Sequence, residues 1–218
     1  SACHYYGDGV TPTQPETFYN AMKQEGDPHP VMYGMNSRLV KADGKLQEKV
    51  WKSGGLYGAA IDRIIYWLEK ATGVAENGKQ AEVLRKLIEF YRTGDLKTFD
   101  EYTILWVQET EAMVDFTNGF TETYGDPLGL KASWEGYANF KDLEATARTE
   151  KLSANAQWFE DHSPVDDRFK KAECRGVSAK VIKAAILGGD LYPASAIGIN
   201  LPNSNWVRAE YGSKSVTI

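Results

Sequence analysis

The chain has 218 residues, of which 42% are hydrophobic and 25% charged, and its formal net charge is −5. This composition is typical of a folded globular protein with one domain or two small ones. An acidic chain without a basic run does not suit nucleic-acid binding, which needs Lys and Arg at the phosphates. No apolar stretch approaches the roughly 20 residues that cross a bilayer, so neither a nucleic acid nor a membrane is an expected partner.

The first half of the chain predicts helices and one hairpin. The first helix is predicted over residues 15–25, because Pro15 suits a first helical turn and Gly26 suits a helix end. Residues 36–51 predict a hairpin, because Asp43-Gly44 tolerates the positive φ angles of a tight turn. Apolar residues at helical spacing predict three more helices, near residues 58–72, 78–93 and 98–110. In the last of these, Thr98 and Glu101 have the spacing of a capping box.

The second half of the chain shows strand patterns. Thr, Val and Phe flank Asn118-Gly119 within residues 113–124, which predicts a second hairpin, and residues 126–129 predict a turn. Further elements are expected as a strand over 134–140, a helix over 143–159, and either a helix or a strand over 177–187. Helices followed by strands and another helix predict an α+β fold with an antiparallel sheet rather than a βαβ series.

The local motifs of metal binding and nucleophilic catalysis are missing from the sequence. The three histidines, His4, His29 and His162, are scattered, and none belongs to an HExxH helix. GxSxG, GxGxxG and GxxxxGK[ST] patterns are also missing. We therefore expect no metal ligands in this chain.

Two segments carry candidate binding residues. A loop at Asn118-Gly119 would place Asp115 opposite Glu122, and such a like-charged pair either points to water or attracts a cation such as a peptide's α-ammonium group. Tyr124 would share the face of Glu122, because strand side chains repeat every two residues. Residues 198–203 form either an ordinary strand and turn or a sheet edge to which a peptide adds as an extra strand.

Both segments resemble blocks of the dipeptidyl peptidase III family. Residues 118–129 with Trp134-Glu135-Gly136 resemble that family's GFIE-x-Y-x-DP-x-G…FEG block. Residues 198–203 with Arg208, and then residues 214–218, resemble its GIN-x-PN…R…K-x-V-x-hydrophobic block. The blocks occur in the family's order, and shorter stretches at 36–40, 54–57 and 91–94 also match, so the resemblance covers most of the chain.

The resemblance implies a two-lobed, cytoplasmic zinc exopeptidase that removes dipeptides from the N-termini of oligopeptides. The family's zinc motifs, HExxGH and an EECRAE-type sequence, would follow residue 218. We therefore expect an inactive internal fragment that binds no metal, whereas the parent enzyme uses zinc. The expected partners are an oligopeptide substrate and the remainder of the parent chain, which includes the upper catalytic lobe.

The same resemblance implies a division of the chain. Residues 1–142 would belong to an α+β substrate-binding lower lobe that contains an antiparallel sheet or partial β-barrel. Residues 143–180 would form a helical excursion towards the upper lobe, and residues 181–218 would return to the lower-lobe sheet.

The resemblance also implies roles for individual residues. Glu122, Asn200 and Asn203 would bind the free amino terminus of the substrate, since carboxylates attract ammonium groups and amides donate and accept hydrogen bonds. Tyr124 would be the catalytic residue, stabilising the transition state near the scissile carbonyl. The substrate backbone would pair with a strand formed by Gly198, Ile199, Asn200 and Leu201.

Glu135 and Arg208 match family positions without an assigned role. Gly125 stands where animal members carry Arg, so the resemblance does not extend to subsite preference. Two other functions stay open from the sequence: a non-catalytic peptide-binding module of the same architecture, and a carbohydrate-active domain, which the Trp, Tyr and carboxylate content would suit.

Overall fold

A computed structural model describes residues 4–174, 176 and 179–217. Its helices are α1 (Gln14–Asn20), α2 (Gly58–Thr72), α3 (Gly78–Thr93), α4 (Leu96–Gln108), α5 (Leu143–Ala154), α6 (Ala156–Asp161) and α7 (Asn205–Tyr211). Its strands are β1 (Ser37–Ala42), β2 (Lys45–Val50), β3 (Val114–Glu122), β4 (Ser133–Lys141), β5 (Ile182–Gly189), β6 (Gly198–Leu201) and β7 (Lys214–Thr217). The sheets are antiparallel, so the predicted α+β class is confirmed. None of the helices in the described ranges is long and apolar enough to cross a membrane.

The hairpin of β1 and β2 turns where the sequence predicts it. Asp43 and Gly44 have φ angles of 50° and 76°, and Ala42 pairs with Lys45 across the turn. Positive φ angles at both central residues are those of the tight turn that matches the twist of its strands.

The helices α2, α3 and α4 confirm the predicted set and form the main apolar core. Leu87, Phe90 and Tyr91 of α3 are fully buried between its neighbours. The N-cap of α4 is Asp95, whose carboxylate accepts from two backbone amides, so this helix begins earlier than Thr98. The helix predicted over 15–25 is shorter and ends at Asn20.

The hairpin predicted at Asn118-Gly119 is wrong. Strand β3 runs through both residues, and Asn118 and Gly119 pair with Gly136 and Glu135 of β4. The glycine at this position serves packing rather than a turn. Phe99 packs so closely that a Cβ on Gly119 would lie 2.9 Å from its Cε2. Asn118 likewise accepts a hydrogen bond from the Tyr91 hydroxyl.

The acidic pair inferred from that hairpin is also wrong. Asp115 pairs with Asn139 and Glu122 with Ser133, so these two carboxylates lie far apart along one strand. Asp115 instead accepts from Trp106 Nε1 at 3.0 Å and forms an ion pair with Lys214 at 2.9 Å.

The chain reverses at the predicted turn over 126–129. Asp126 organises this turn, because its side chain accepts from the backbone amides of Leu128, Leu130 and Lys131. Strand β4 follows, as predicted, and pairs on its other edge with β5.

Two further predictions need refinement. The helix predicted over 143–159 is divided into α5 and α6 at Asn155. Within residues 177–187 the strand alternative is correct from Ile182 onwards, while residues 177 and 178 lie outside the described residues, as does Ile218. The strands β6 and β7 form a separate two-stranded sheet.

Candidate substrate-binding cleft

A cleft of about 630 Å³ lies between the end of β3 and the sheet of β6 and β7. Four of its lining residues are Glu122, Tyr124, Asn200 and Asn203. The structure therefore brings together these four sequence-predicted residues. Gly198 and Ile199 also line the cleft, whereas Leu201 packs in the core beneath it.

A β-bulge directs Glu122 to the cleft. Phe120 pairs with Trp134 and Glu122 with Ser133, which leaves Thr121 as the extra residue. Such a bulge changes the direction in which the following side chains point. The Ser133 hydroxyl donates to the Glu122 carbonyl oxygen at 3.2 Å, which holds the strand end in place.

Asn203 connects the two sides of the cleft. Its Nδ2 donates to the Thr121 carbonyl oxygen at 3.0 Å and to Glu122 Oε2 at 3.4 Å, although these residues lie 82 and 81 positions away in the sequence. The amide is thus held by backbone, and the Glu122 carboxylate keeps acceptor capacity for a ligand.

Asn200 points to the cleft because side chains along β6 alternate between the two faces of the strand. Ile199 and Leu201 are buried, while Gly198 and Asn200 are exposed, because successive strand residues point to opposite faces. Asn200 pairs with Ser215 of β7, whose hydroxyl donates to Asn200 Oδ1 at 3.0 Å. Within the described ranges β6 pairs only with β7, so its second edge carries no strand.

Tyr124 lies in the turn after β3 with 92% of its surface exposed. A large aromatic side chain in this position offers its ring and hydroxyl to any molecule in the cleft.

The sequence patterns give no role to three charged residues of the cleft: Glu135, Asp190 and Arg208. Glu135 is only 2% exposed and accepts a hydrogen bond from the Thr121 hydroxyl. Burial raises the pKa of the Glu135 carboxyl above its usual range, the hydrogen bond from Thr121 opposes this, and the charges of Glu122 and Asp190 act in the same direction as burial.

The sequence holds a signal for Glu135 but none for Asp190. Glu135 stands in the Trp134-Glu135-Gly136 motif. Asp190 directly follows β5, which pairs with β4, and its backbone amide donates to Trp134 O at 3.1 Å. The described cleft residues thus include three carboxylates and one guanidinium, which favours a cationic group on the ligand.

A metal centre is not evident in the part of the chain that the structure describes. No group of three or more His, Cys, Asp or Glu side chains there is placed to hold a metal ion. The residues in hand therefore do not fit a zinc site.

Comparison with known proteins identifies relatives of this chain. The model of peptidase family M49 matches residues 33–218. The chain is 27% identical over 164 residues to dipeptidyl peptidase 3 of Rattus norvegicus, a match over 75% of this chain and 22% of the rat protein. It is 28% identical over 167 residues to dipeptidyl peptidase 3 of Dictyostelium discoideum, which covers 75% of this chain and 23% of that protein.

A solved structure supports the fold. DPP III from Caldithrix abyssi superposes with a TM-score of 0.74 at 22% identity, covering 99% of this chain and 40% of that one. The chain spans about a fifth of the length of the curated relatives that it matches.

Proposed function

The chain belongs to peptidase family M49, and on that premise we propose that it forms the substrate-binding part of a zinc-dependent exopeptidase that releases dipeptides from the N-termini of oligopeptides. The observation that carries this proposal is the convergence of Glu122, Asn200 and Asn203 on one cleft. The parent activity is part of the proposal, because the relatives are several times longer than this chain. Family membership favours a peptidase over a carbohydrate-active domain.

Recognition of the substrate terminus is proposed to be electrostatic. The Glu122 carboxylate attracts the α-ammonium group, and the side chains of Asn200 and Asn203 supply directional hydrogen bonds around it. Glu135 and Asp190 add negative charge to the same cleft, which lowers the free energy of a bound cation further.

The substrate backbone is proposed to align with β6. Gly198, Ile199, Asn200 and Leu201 form a strand whose second edge has no strand partner among the described residues. An extended peptide could therefore add to this edge through main-chain hydrogen bonds. Tyr124, which also lines the cleft, is proposed to donate a hydrogen bond to the carbonyl oxygen on which charge develops.

Zinc is proposed to be held by parts of the parent protein outside this chain. The described side chains of this chain do not fit a zinc site. In the family's scheme a bound zinc would lower the pKa of the attacking water. We further propose that residues 1–142 and 181–218 belong to the lower lobe and that residues 143–180 extend towards the upper lobe.

The proposal is tested by Glu122→Ala in the complete protein. Removing one partner of a charged hydrogen bond costs on the order of 2 kcal/mol, which is about thirtyfold in affinity. We expect KM for a dipeptidyl substrate to rise by about this factor with a smaller change in kcat. Glu150→Ala, which removes an exposed carboxylate from α5, is the matched control. Equal KM values for both variants would contradict the proposed ammonium site, and a complete protein that binds peptides without cleaving them would indicate a binding module.

A further inference from the structure

Tyr124 takes its position from the loop that joins β3 to β4, residues 123–132. Because Tyr124 is 92% exposed, packing against neighbouring side chains does not fix it. It lies inside a turn that the Asp126 amide closes by donating to Thr123 O at 3.0 Å. The position of Tyr124 therefore depends on the contacts that hold the remainder of the loop.

Asp126 links this turn to the second half of the loop. Its carboxylate accepts from the backbone amides of Leu130 and Lys131 at 2.9 Å each. The same carboxylate accepts from the Tyr6 hydroxyl at 2.8 Å. A displacement of Lys131 is thus transmitted through Asp126 to the turn that contains Tyr124.

The Lys131 side chain points away from the loop and is fully buried. Its ammonium group donates to the Tyr19 hydroxyl, to Gly34 O at 3.1 Å and to Ser37 Oγ at 3.0 Å. The Tyr19 and Ser37 hydroxyls both donate to Glu48 Oε1, so neither can donate to a neutral amine without leaving that carboxylate. Since a neutral amine has only two N–H donors, the ammonium form alone pairs all three acceptors.

Aromatic rings and carboxylates surround this ammonium group. Its Nζ lies 4.4 Å from the ring centroid of Tyr19 and 5.9 Å from that of Tyr6. Burial lowers the pKa of the Lys131 ammonium to about 8, and the negative charges of Glu48 and Asp126 oppose this shift. Burial also raises the pKa of the Tyr6 and Tyr19 hydroxyls above their usual range. Lys131, unlike these two phenols, therefore loses a proton under mildly alkaline conditions.

We propose that Lys131 is a positioning residue for Tyr124, and that only its ammonium form holds the loop of residues 123–132 in the position that the cleft requires. Loss of one proton leaves one of the three acceptors unpaired, which loosens the loop where it joins residues 34–37. The anchor itself needs no substrate, whereas its effect on turnover rests on the proposed function.

Amide hydrogen exchange in the complete, peptide-free protein tests the anchor. Lys131→Met removes the charge and keeps an unbranched apolar side chain. Exchange at the hydrogen-bonded loop amides of Leu128 and Leu130 should accelerate by about tenfold, because the loop opens locally more often. The amides of Leu87 and Phe90 in α3 should keep their rates.

Lys86→Met is the matched control. Lys86 is a partly buried lysine that forms ion pairs with Glu89 of α3 and Glu101 of α4, outside the cleft. Its replacement should leave loop exchange, kcat and KM unchanged. Ser37→Ala removes a single acceptor of the Lys131 ammonium, so it keeps the test available if Lys131→Met does not fold. It should accelerate exchange in the same loop amides to a smaller extent.

Steady-state kinetics tests the effect on Tyr124. Lys131→Met should lower kcat by about tenfold and change KM little, because a displaced hydroxyl stabilises the transition state less well. Adding Lys131→Met to Tyr124→Phe should cause no further loss, since both changes act through the same hydroxyl. The ratio of kcat between wild type and Lys131→Met should shrink as pH rises through about 8, because the wild type then loses the ammonium charge.

Three kinetic or exchange results would overturn the proposal: kcat losses that multiply in the double variant, a kcat ratio that is constant with pH, and equal acceleration in α3. The same exchange pattern in Lys86→Met would also overturn it. If Tyr124→Phe leaves kcat unchanged while Lys131→Met accelerates loop exchange, the proposed role of Tyr124 fails and the anchor stands. If loop exchange is unchanged while Tyr124→Phe lowers kcat, the anchor alone fails.

Discussion

Thr121 is the residue at which β3 departs from regular pairing, and it serves the cleft in two ways. Its carbonyl oxygen accepts from the Asn203 amide, and its hydroxyl donates to the buried Glu135 carboxyl. As the bulge residue it also sets the direction of Glu122. One residue without charge thus contacts or orients three polar side chains of the cleft: Glu122, Glu135 and Asn203.

At the same scale, Tyr124→Phe in the complete protein separates binding from turnover. The hydroxyl is proposed to act where charge develops on the carbonyl oxygen, so its loss should lower kcat by about 10²-fold or more and change KM little. Tyr66→Phe, on the half-exposed face of α2, removes a hydroxyl outside the cleft and should leave both constants unchanged. Steady-state kinetics on both variants provides the comparison, and an unchanged kcat for Tyr124→Phe would remove its transition-state role.

Asp100→Asn should alter the pH dependence of stability. Burial raises the folded-state pKa of Asp100 to about 7 from the usual 3.8. Between these values the folded protein holds a proton that the unfolded chain has released, so the free energy of unfolding falls as pH rises and reaches its floor above pH 7. One pKa unit corresponds to about 1.36 kcal/mol. Between pH 4 and 7 the free energy of unfolding of the wild type should therefore fall by up to about 4 kcal/mol relative to that of Asp100→Asn. Urea unfolding at several pH values measures this difference, and parallel curves would contradict the shift.

At the scale of elements, the helices and the first hairpin follow from local signals, whereas β3 does not. The dipeptide Asn118-Gly119 favours a hairpin turn in isolation. In the folded chain the same two residues lie within β3 and contact the helices. Phe99 packs closely against Gly119, and the Tyr91 hydroxyl donates a hydrogen bond to Asn118. The reversal moves to residues 126–129, where the Asp126 side chain satisfies three backbone amides.

Glycines at element ends give a matched test. Gly94 closes α3 with φ 72°, and a Cβ there would lie 2.6 Å from Val50 Cγ1. Gly78 opens the same helix, and a Cβ there would meet nothing within 4 Å. Gly94→Ala should therefore destabilise the protein by about 1–2 kcal/mol, since positive φ is strained for any residue with a Cβ, while Gly78→Ala should be neutral or slightly stabilising. Thermal and urea unfolding distinguish the two, and equal stabilities would contradict the argument.

At the scale of the whole molecule, the loop between β3 and β4 is anchored to the N-terminal part of the chain. The fully buried Lys131 ammonium donates to Gly34 O at 3.1 Å and Ser37 Oγ at 3.0 Å, and Tyr6 donates to Asp126 at 2.8 Å. Burial lowers the pKa of the Lys131 ammonium to about 8, and the negative charges of Glu48 and Asp126 act against this shift. Residues before β2 thereby hold the turn that follows Tyr124.

The 218-residue chain should release no dipeptide and hold no stoichiometric zinc. The complete protein should release dipeptides and bind zinc. The physical reason is that the described side chains form no group of three metal ligands, and three protein ligands are the usual minimum of a catalytic zinc site. Elemental analysis and a dipeptidyl substrate assay on both proteins provide the measurement. One tightly bound zinc per chain, or hydrolysis by the shorter protein at a rate comparable to the complete one, would contradict the proposed division of labour.

The sequence by itself determined the features that depend on a few neighbouring residues or on a long motif. These are the helices near 58–72, 78–93 and 98–110, the turns at Asp43-Gly44 and 126–129, and the family blocks that contain Glu122, Tyr124, Asn200 and Asn203. Helical periodicity and turn conformations arise within one or two turns of chain, so they can be predicted without tertiary contacts.

Only the tertiary structure decided the course of β3 and the entry of Asp190 into the cleft. Each depends on residues many positions apart, such as the pairing of β4 with β5 or the approach of Phe99 to Gly119. The same short pattern can serve a turn or a buried strand, and the free energy of long-range packing chooses between them.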